Sequence, residues 1–267
     1  MPDVRHRGSR EGFDYAYLDR ADSADLAWEW LRRDAGYRQL VPSSPRGGPF
    51  GCQLFPLATT DVQRRWGCLN VATADRDIDA NHLLWSAAVD PSVLAVAALP
   101  ATTPAGTTLD LADWGDRLTI VQGSFAEHVL LRPGRGQLRF DVCSGTILQG
   151  PVRLFVDATI DDTAAMSAAR LTCFRKALSH DPADRTPPRR SRAHFRQVAA
   201  LRTFDALIDG ASIRDVAITL FGESRVRAEW LDPSEAMKSA CRRLIALARR
   251  MSDGGYKLLL DRACDRS

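Results

Sequence analysis

The stretch "DPSEAMKSACRRLIALARRM" (residues 232–251) decides the class of the C-terminal part of the chain. Asp232 has the form of a helix N-cap. Pro233 suits the first helical position, where its missing N–H would be unpaired anyway, and Glu235 falls in the first turn. The spacing predicts a helix running to about Met251, on the order of 30 Å long, with "DGG" as its end. At about 100° per residue, Met237, Ala240, Cys241, Leu244, Ile245, Leu247, Ala248 and Met251 cover one side. Lys238, Arg242, Arg243, Arg249 and Arg250 occupy the other side, with Glu235, Ser239 and Ala246. One face is apolar and the opposite face is a row of long cations.

Upstream, "ASIRDVAITLFG" (211–222) reads as a three-turn helix. Ser212 and Asp215 form a weak capping box; Ile213, Val216, Ala217, Leu220 and Phe221 form one stripe; Gly222 is a left-handed stop. "FRQVAALRTFDALIDG" (195–210) aligns Val198, Leu201, Phe204 and Ile208 before Gly210. A helix-turn-helix reader needs this layout, a scaffold helix behind and a second helix whose outer face enters the major groove. Glu235, Lys238, Ser239 and Arg242 are therefore candidates for base edges or nearby phosphates, and Arg243, Arg249 and Arg250 for phosphates. The segment "ESRVRAEWLD" (223–232) is longer than a standard turn, which fits an extra helical turn around Arg225 to Trp230. Arg225 and Arg227 could add phosphate contacts there, and Trp230 reads as a core anchor. The competing reading of the same pattern is a solvated helix face in an arginine-rich protein.

Charge divides the chain in the same way. Residues 1–166 carry 16 Lys+Arg against 21 Asp+Glu, a net of −5, while residues 167–267 carry 20 against 12, a net of +8. A basic part suited to a polyanion follows an acidic part with another task, unless the two halves merely attract each other. The 267 residues, 45% of them hydrophobic, can bury a substantial core. No signal peptide and no 18-residue apolar run is present, so a cytoplasmic, nucleoid-associated protein that does not enter a membrane is expected. Six cysteines without a CxxC pair read as reduced thiols.

Nearer the N-terminus, "SADLAWEWLRRDAGYRQL" (23–40) suggests a helix capped by Ser23 or Asp22, with Leu26, Ala27, Trp30 and Leu31 on its apolar face and Gly36 as its stop. "VPSSPRGGPFG" (41–51) reads as a loop. Period-two alternation then marks strands at 117–122, 127–133, 137–143 and 152–160, with "PGRG" (133–136) turning an antiparallel hairpin and a helix placed around "DANHLLWSAAV" (79–89). "AAMSAARLTCFRKALSH" (164–180) returns to helical spacing, and "DPADRTPPRRSR" (181–192) reads as an exposed basic linker. The expected fold class is α+β: a small N-terminal helical unit over 1–46, a central antiparallel β-containing unit over 47–163, and an all-α helix-turn-helix-like domain over 164–267.

Catalytic signatures are missing from the sequence. "DRDIDANHLLWS" alternates acids like a calcium loop, but Ala80 stands where the sharp turn wants glycine and Ser86 where a bidentate Glu is needed. The histidines show neither HExxH nor zinc spacing, and no GxSxG, GxxxxGK[ST] or GxGxxG occurs. A tyrosine-class recombinase would need an HxxR pair besides a late Tyr; "HFRQ" lacks it, and Tyr256 after "DGG" reads as an apolar anchor for the end of the long helix. No catalytic residue, metal or cofactor is expected.

The segment "DYAYLDRADSADLAWEWLRRDAGYR" resembles the N-terminal transcriptional-regulator-like domain of proteobacterial activators. "GASIRDVAITLFG…EW…PSEAMKSACRRLIALARRMSDGGYKLLL" resembles the DNA-binding domain of the same regulators, a type VI secretion transcription-factor domain, and "RRWGCLN…DPSVLAV" is less specifically similar. That family includes excision activators of integrative and conjugative elements and an oligomeric activator of type VI secretion genes. The resemblance implies a non-enzymatic activator acting as a homo-oligomer on double-stranded promoter DNA, with RNA polymerase and a small antagonist protein as further partners. By the same resemblance, residues Ser212 to Gly222 act as scaffold and Lys238, Arg242 and Arg243 face DNA. The alternative is an antagonist or adaptor that binds a related regulator without binding DNA.

Overall fold

Over their described parts, the period-two segments form strands. The computed structural model describes residues 15–76, 78, 82–102, 107–132, 137–156, 191–231 and 235–261. Among these, one mixed sheet contains β1 (Arg46–Gly47), β2 (Gln53–Pro56), β3 (Leu94–Pro100), β4 (Thr107–Leu109), β5 (Leu118–Gln122), β6 (Glu127–Leu131), β7 (Leu138–Ser144) and β8 (Val152–Val156). Their spatial order is β1-β2-β5-β6-β7-β3-β8-β4, antiparallel except for β2 beside β5 and β3 beside β7. The expected hairpin is β6–β7, paired Val129 to Phe140 and Leu131 to Leu138; its "PGRG" connection lies outside the described residues. Leu118, Ile120, Val129, Leu131, Phe140 and Val142 pack with Trp114 and Ile147, whereas Val121 and Leu130 join Phe55, Leu69 and Leu84 in a separate cluster. Residues Leu118 to Val121 are therefore all buried, as befits a strand covered on both faces.

The first helix, α1 (Ser23–Leu31), is capped by Asp22: its carboxylate accepts from the Asp25 N–H, and Asp25 returns a bond from the Asp22 N–H. Leu26, Ala27, Trp30 and Leu31 are buried as expected, but so are Trp28 and Glu29, which makes the helix buried nearly all round. Gly36 is not its stop. The helix ends at Leu31, and Asp34 accepts the Tyr37 N–H at 2.6 Å to close the turn that follows. A second short helix, α2, spans Thr60–Trp66. The helix expected around 79–89 is corrected over its described part, 82–89, where Trp85 bridges Cys68 and Leu69 and Ser86 hydrogen-bond across to Leu84 and Gly67. Leu83, Leu84 and Trp85 are all buried, a demand that an extended segment under a sheet meets.

Compactness divides the chain into residues 22–187 with 256–267, which hold the sheet, and residues 1–21 with 188–255. The helical unit contains α3 (Arg192–Ile208), α4 (Ile213–Phe221), α5 (Glu223–Glu229) and α6 (Ala236–Ser252). The N-terminal residues belong to it: the Tyr15 hydroxyl donates to Asp205 on α3 at 2.6 Å, and Leu18 is fully buried. Tyr256 is buried as part of the sheet unit, where its hydroxyl donates to the Trp66 carbonyl and its ring lies 6.0 Å from that of Trp85; neither contact is with the long helix whose end it was expected to anchor. The helix expected at 164–180 and the basic linker at 181–190 lie outside the described residues.

Candidate nucleic-acid interface

Ser212 and Asp215 form the full reciprocal capping box at the start of α4. Ser212→Ala removes the acceptor of the Asp215 N–H and is expected to lower the stability of the helical unit by about 1 kcal/mol, read by urea denaturation. Val216 and Ala217 are buried beneath this helix. Gly222 then takes φ 84° and ψ 150°, outside the left-handed helical region, and joins α4 to α5 as a one-residue corner. A side chain there would be strained. The extra helical turn expected after Gly222 is α5, whose Val226 packs with Ala217, Met237 and Cys241; Trp230 is half-buried against the same cluster.

Behind this pair, α3 does not bury the row the spacing suggests. Leu201 is buried, but Ile208 at the helix end is 63% exposed, and the buried positions are His194, Ala200, Leu201 and Thr203. Arg202 fastens α3 to α4 by donating to the Thr219 carbonyl at 2.9 Å.

The long helix α6 begins later than its proline suggests. Asp232, Pro233 and Ser234 lie outside the described residues, and Glu235 is not in the first turn but ahead of it, at the N-cap position, with φ 49°, ψ 17° and no side-chain cap. The expected division of faces is present. Met237, Cys241, Leu247, Ala248 and Met251 are buried, while Arg242, Arg243, Arg249 and Arg250 are exposed. Lys238, Arg242 and Arg249 form one row, and Ser239, Arg243 and Arg250 a parallel one, each at i, i+4 and i+11, extending about 16 Å along the axis.

Charge pairing separates the candidates. On α5, Arg225 meets Glu229 at 3.0 Å and Arg227 meets Glu223 at 2.8 Å, each pair one turn apart, so this helix neutralises itself. On α6, Lys238 and Arg242 share Glu235, at 3.3 and 3.4 Å, and Arg243 donates to Ser239 at 2.9 Å. Among the described residues no carboxylate lies within ion-pair distance of Arg243, Arg249 or Arg250. The Lys238 ammonium also lies 5.8 Å from the Trp230 ring, which gives this half-buried indole a face toward the cation as well as a place in the core. Arg192 and Arg196 on α3 and Arg214 on α4 are further exposed cations; of these only Arg192 lies in a stretch that the sequence marks as basic, "DPADRTPPRRSR". Exposed ion pairs of this kind contribute only about 0–1 kcal/mol, so a phosphate can displace them. The balance of α6 with Glu235 is five cations to one anion, against two to two on α5.

The model of a "T6SS, Transcription factor, DNA binding domain" matches residues 155–261, and that of a "Proteobacterial transcriptional regulator-like domain" matches residues 9–68. No curated protein matches the sequence. The matched domains indicate a transcriptional regulator with a DNA-binding domain, and they point to a non-enzymatic role on DNA. No helix among the described residues is long and apolar enough to cross a membrane.

Proposed function

We propose that the chain is a transcriptional activator that lays α6 against the major groove of promoter DNA. The supporting observation is the exposed cationic ridge of α6, which the self-neutralised α5 lacks. In this reading Arg243, Arg249 and Arg250 hold phosphates, Lys238, Ser239, Arg242 and Glu235 lie at base edges or nearby phosphates, and Arg225 and Arg227 touch the backbone only after leaving their glutamates. Residues 164–267 serve as the DNA-binding domain, while 1–46 and 47–163 serve homo-oligomer formation and contact with RNA polymerase or a small antagonist. The promoter is one governing excision or transfer genes of a mobile element, or a promoter of similar kind, and the protein acts in the cytoplasm at the nucleoid.

The test is equilibrium binding of the full-length chain to duplex DNA across a salt series. An isolated 167–267 fragment would omit Tyr15 and Leu18, which belong to the helical unit. With four phosphates neutralised, log K should fall against log[salt] with a slope of about −3.6, since each contact contributes about −0.9. Absence of binding at low salt, or a slope near zero, would overturn the assignment.

A further inference from the structure

Glu235 breaks the local rules of a helix start. It is a non-glycine residue at φ 49°, a region in which a side chain crowds the backbone and which glycine or asparagine usually occupies. It opens α6 without capping it. Its carbonyl accepts the Ser239 N–H at 2.9 Å, a role any residue could fill. The side chain does something more particular. Oε1 accepts from Lys238 Nζ at 3.3 Å and Oε2 from Arg242 Nη1 at 3.4 Å, so each oxygen of one anion serves a different cation. The Lys238 hydrogen bond and charge, followed by Arg242, hold the Glu235 carboxyl below its ordinary range even though it is exposed.

A DNA phosphate bridges two cationic side chains in the same manner, one non-ester oxygen to each. We propose that Glu235 stands in for a backbone phosphate in the free protein: it occupies Lys238 and Arg242, and DNA must displace it. This inference rests on the DNA-binding reading of α6. Its consequence is a lower affinity for arbitrary duplex, because two of the five cations on the helix are partly neutralised before DNA arrives. Exposed pairing alone gives little stability in return for a left-handed glutamate, whereas restraint of sequence-independent binding is a benefit to a regulator that must search among many competing sites.

The experiment measures binding of a random-sequence duplex of about 30 base pairs to the full-length chain at about 0.1 M salt. Glu235→Gln keeps the shape and removes the charge. It is expected to tighten binding about 3- to 10-fold and to steepen the salt slope by up to about 0.9, the value of one further released counterion. In a Lys238→Ala/Arg242→Ala background, Glu235→Gln is expected to lose most of that gain. Unchanged or weaker binding by Glu235→Gln overturns the inference, and so does an equal gain in both backgrounds, which would mark a general charge effect. If the unaltered protein binds no duplex at low salt, the DNA-binding reading fails first; if it binds with a steep slope while Glu235→Gln shows no gain, only the role of Glu235 fails.

Discussion

A full-length protein carrying Arg242→Ala, Arg243→Ala, Arg249→Ala and Arg250→Ala is expected to bind duplex DNA on the order of 10³-fold more weakly at about 0.1 M salt, with most of its salt slope gone. The magnitude follows from counterion release. Each phosphate contact contributes about 0.9 to the exponent of salt concentration, so four contacts at a tenfold dilution from 1 M account for roughly 10³ to 10⁴ in affinity. Folding should survive, because all four side chains are exposed and point away from Met237, Cys241, Ala248 and Met251. A thermal midpoint close to that of the unaltered chain would show this, and circular dichroism should keep its helical signal. The matching control is Arg225→Ala with Arg227→Ala. Those side chains are already satisfied by Glu229 and Glu223, and their joint loss should weaken binding by less than about tenfold. Equal losses from the two sets would mean that total charge, not the α6 ridge, holds the duplex. Full binding by the fourfold variant would remove α6 from the interface altogether.

The parts of this site that were legible in the sequence are those set by short-range periodicity. The alternation of Met237, Cys241, Ala248 and Met251 with Lys238, Arg242 and Arg249 is a matter of 100° per residue, and the Ser212–Asp215 capping box spans three positions. Neither needs the rest of the molecule. The place of Glu235 at the start of α6 is not legible, because Asp232 and Pro233 make a strong local signal, while the left-handed turn at Glu235 leaves no compositional trace when the residue is not glycine or asparagine. Other features depend on partners far away in the chain. Tyr15 finds Asp205 across 190 positions, and Tyr256 reaches Trp66 across the same span, so no window of neighbouring residues reveals them. The strand expectations succeeded for β5 to β8, where alternation or an apolar run marks each segment. They missed the extended backbone at 82–89, because "HLLWSAAV" carries helix-forming residues and only the sheet below it explains why Leu83, Leu84 and Trp85 are all buried. Arg139 is the sharpest failure of pattern. An arginine in the alternating run "QLRFDVC" reads as solvent-facing, yet it is 4% exposed.

That arginine makes Asp141→Ala the substitution expected to cost the sheet unit most. Arg139 donates from Nη2 to the Trp85 carbonyl at 2.9 Å and to Asp141 Oδ1 at 3.1 Å, and from Nη1 to the Val129 carbonyl. Asp141, two residues on and on the same face of β7, also lies 2.9 Å from Nδ1 of His128, its cross-strand neighbour on β6. Burial pushes the Asp141 carboxyl up, but the His128 and Arg139 interactions outweigh it and hold the carboxyl below its ordinary range. Removing this carboxylate leaves a buried guanidinium whose remaining partners are mainly carbonyl dipoles, a loss of about 3–5 kcal/mol. The thermal midpoint should fall on the order of 10 °C. Replacing both residues, Arg139→Met with Asp141→Leu, should cost less than Asp141→Ala alone, since no buried charge is then left unpaired. The pH dependence has a definite sign. A carboxyl whose pKa is lower in the folded than in the unfolded state adds stability above its unfolded value, about 3.9, and that stability disappears as pH falls through the folded value. Urea midpoints of the unaltered protein should therefore drop on acidification below about pH 4, and Asp141→Asn should flatten that part of the profile. A loss under about 1 kcal/mol from Asp141→Ala would show that the carbonyls of Trp85 and Val129 suffice to hold Arg139, and that the ion pair is incidental to the sheet.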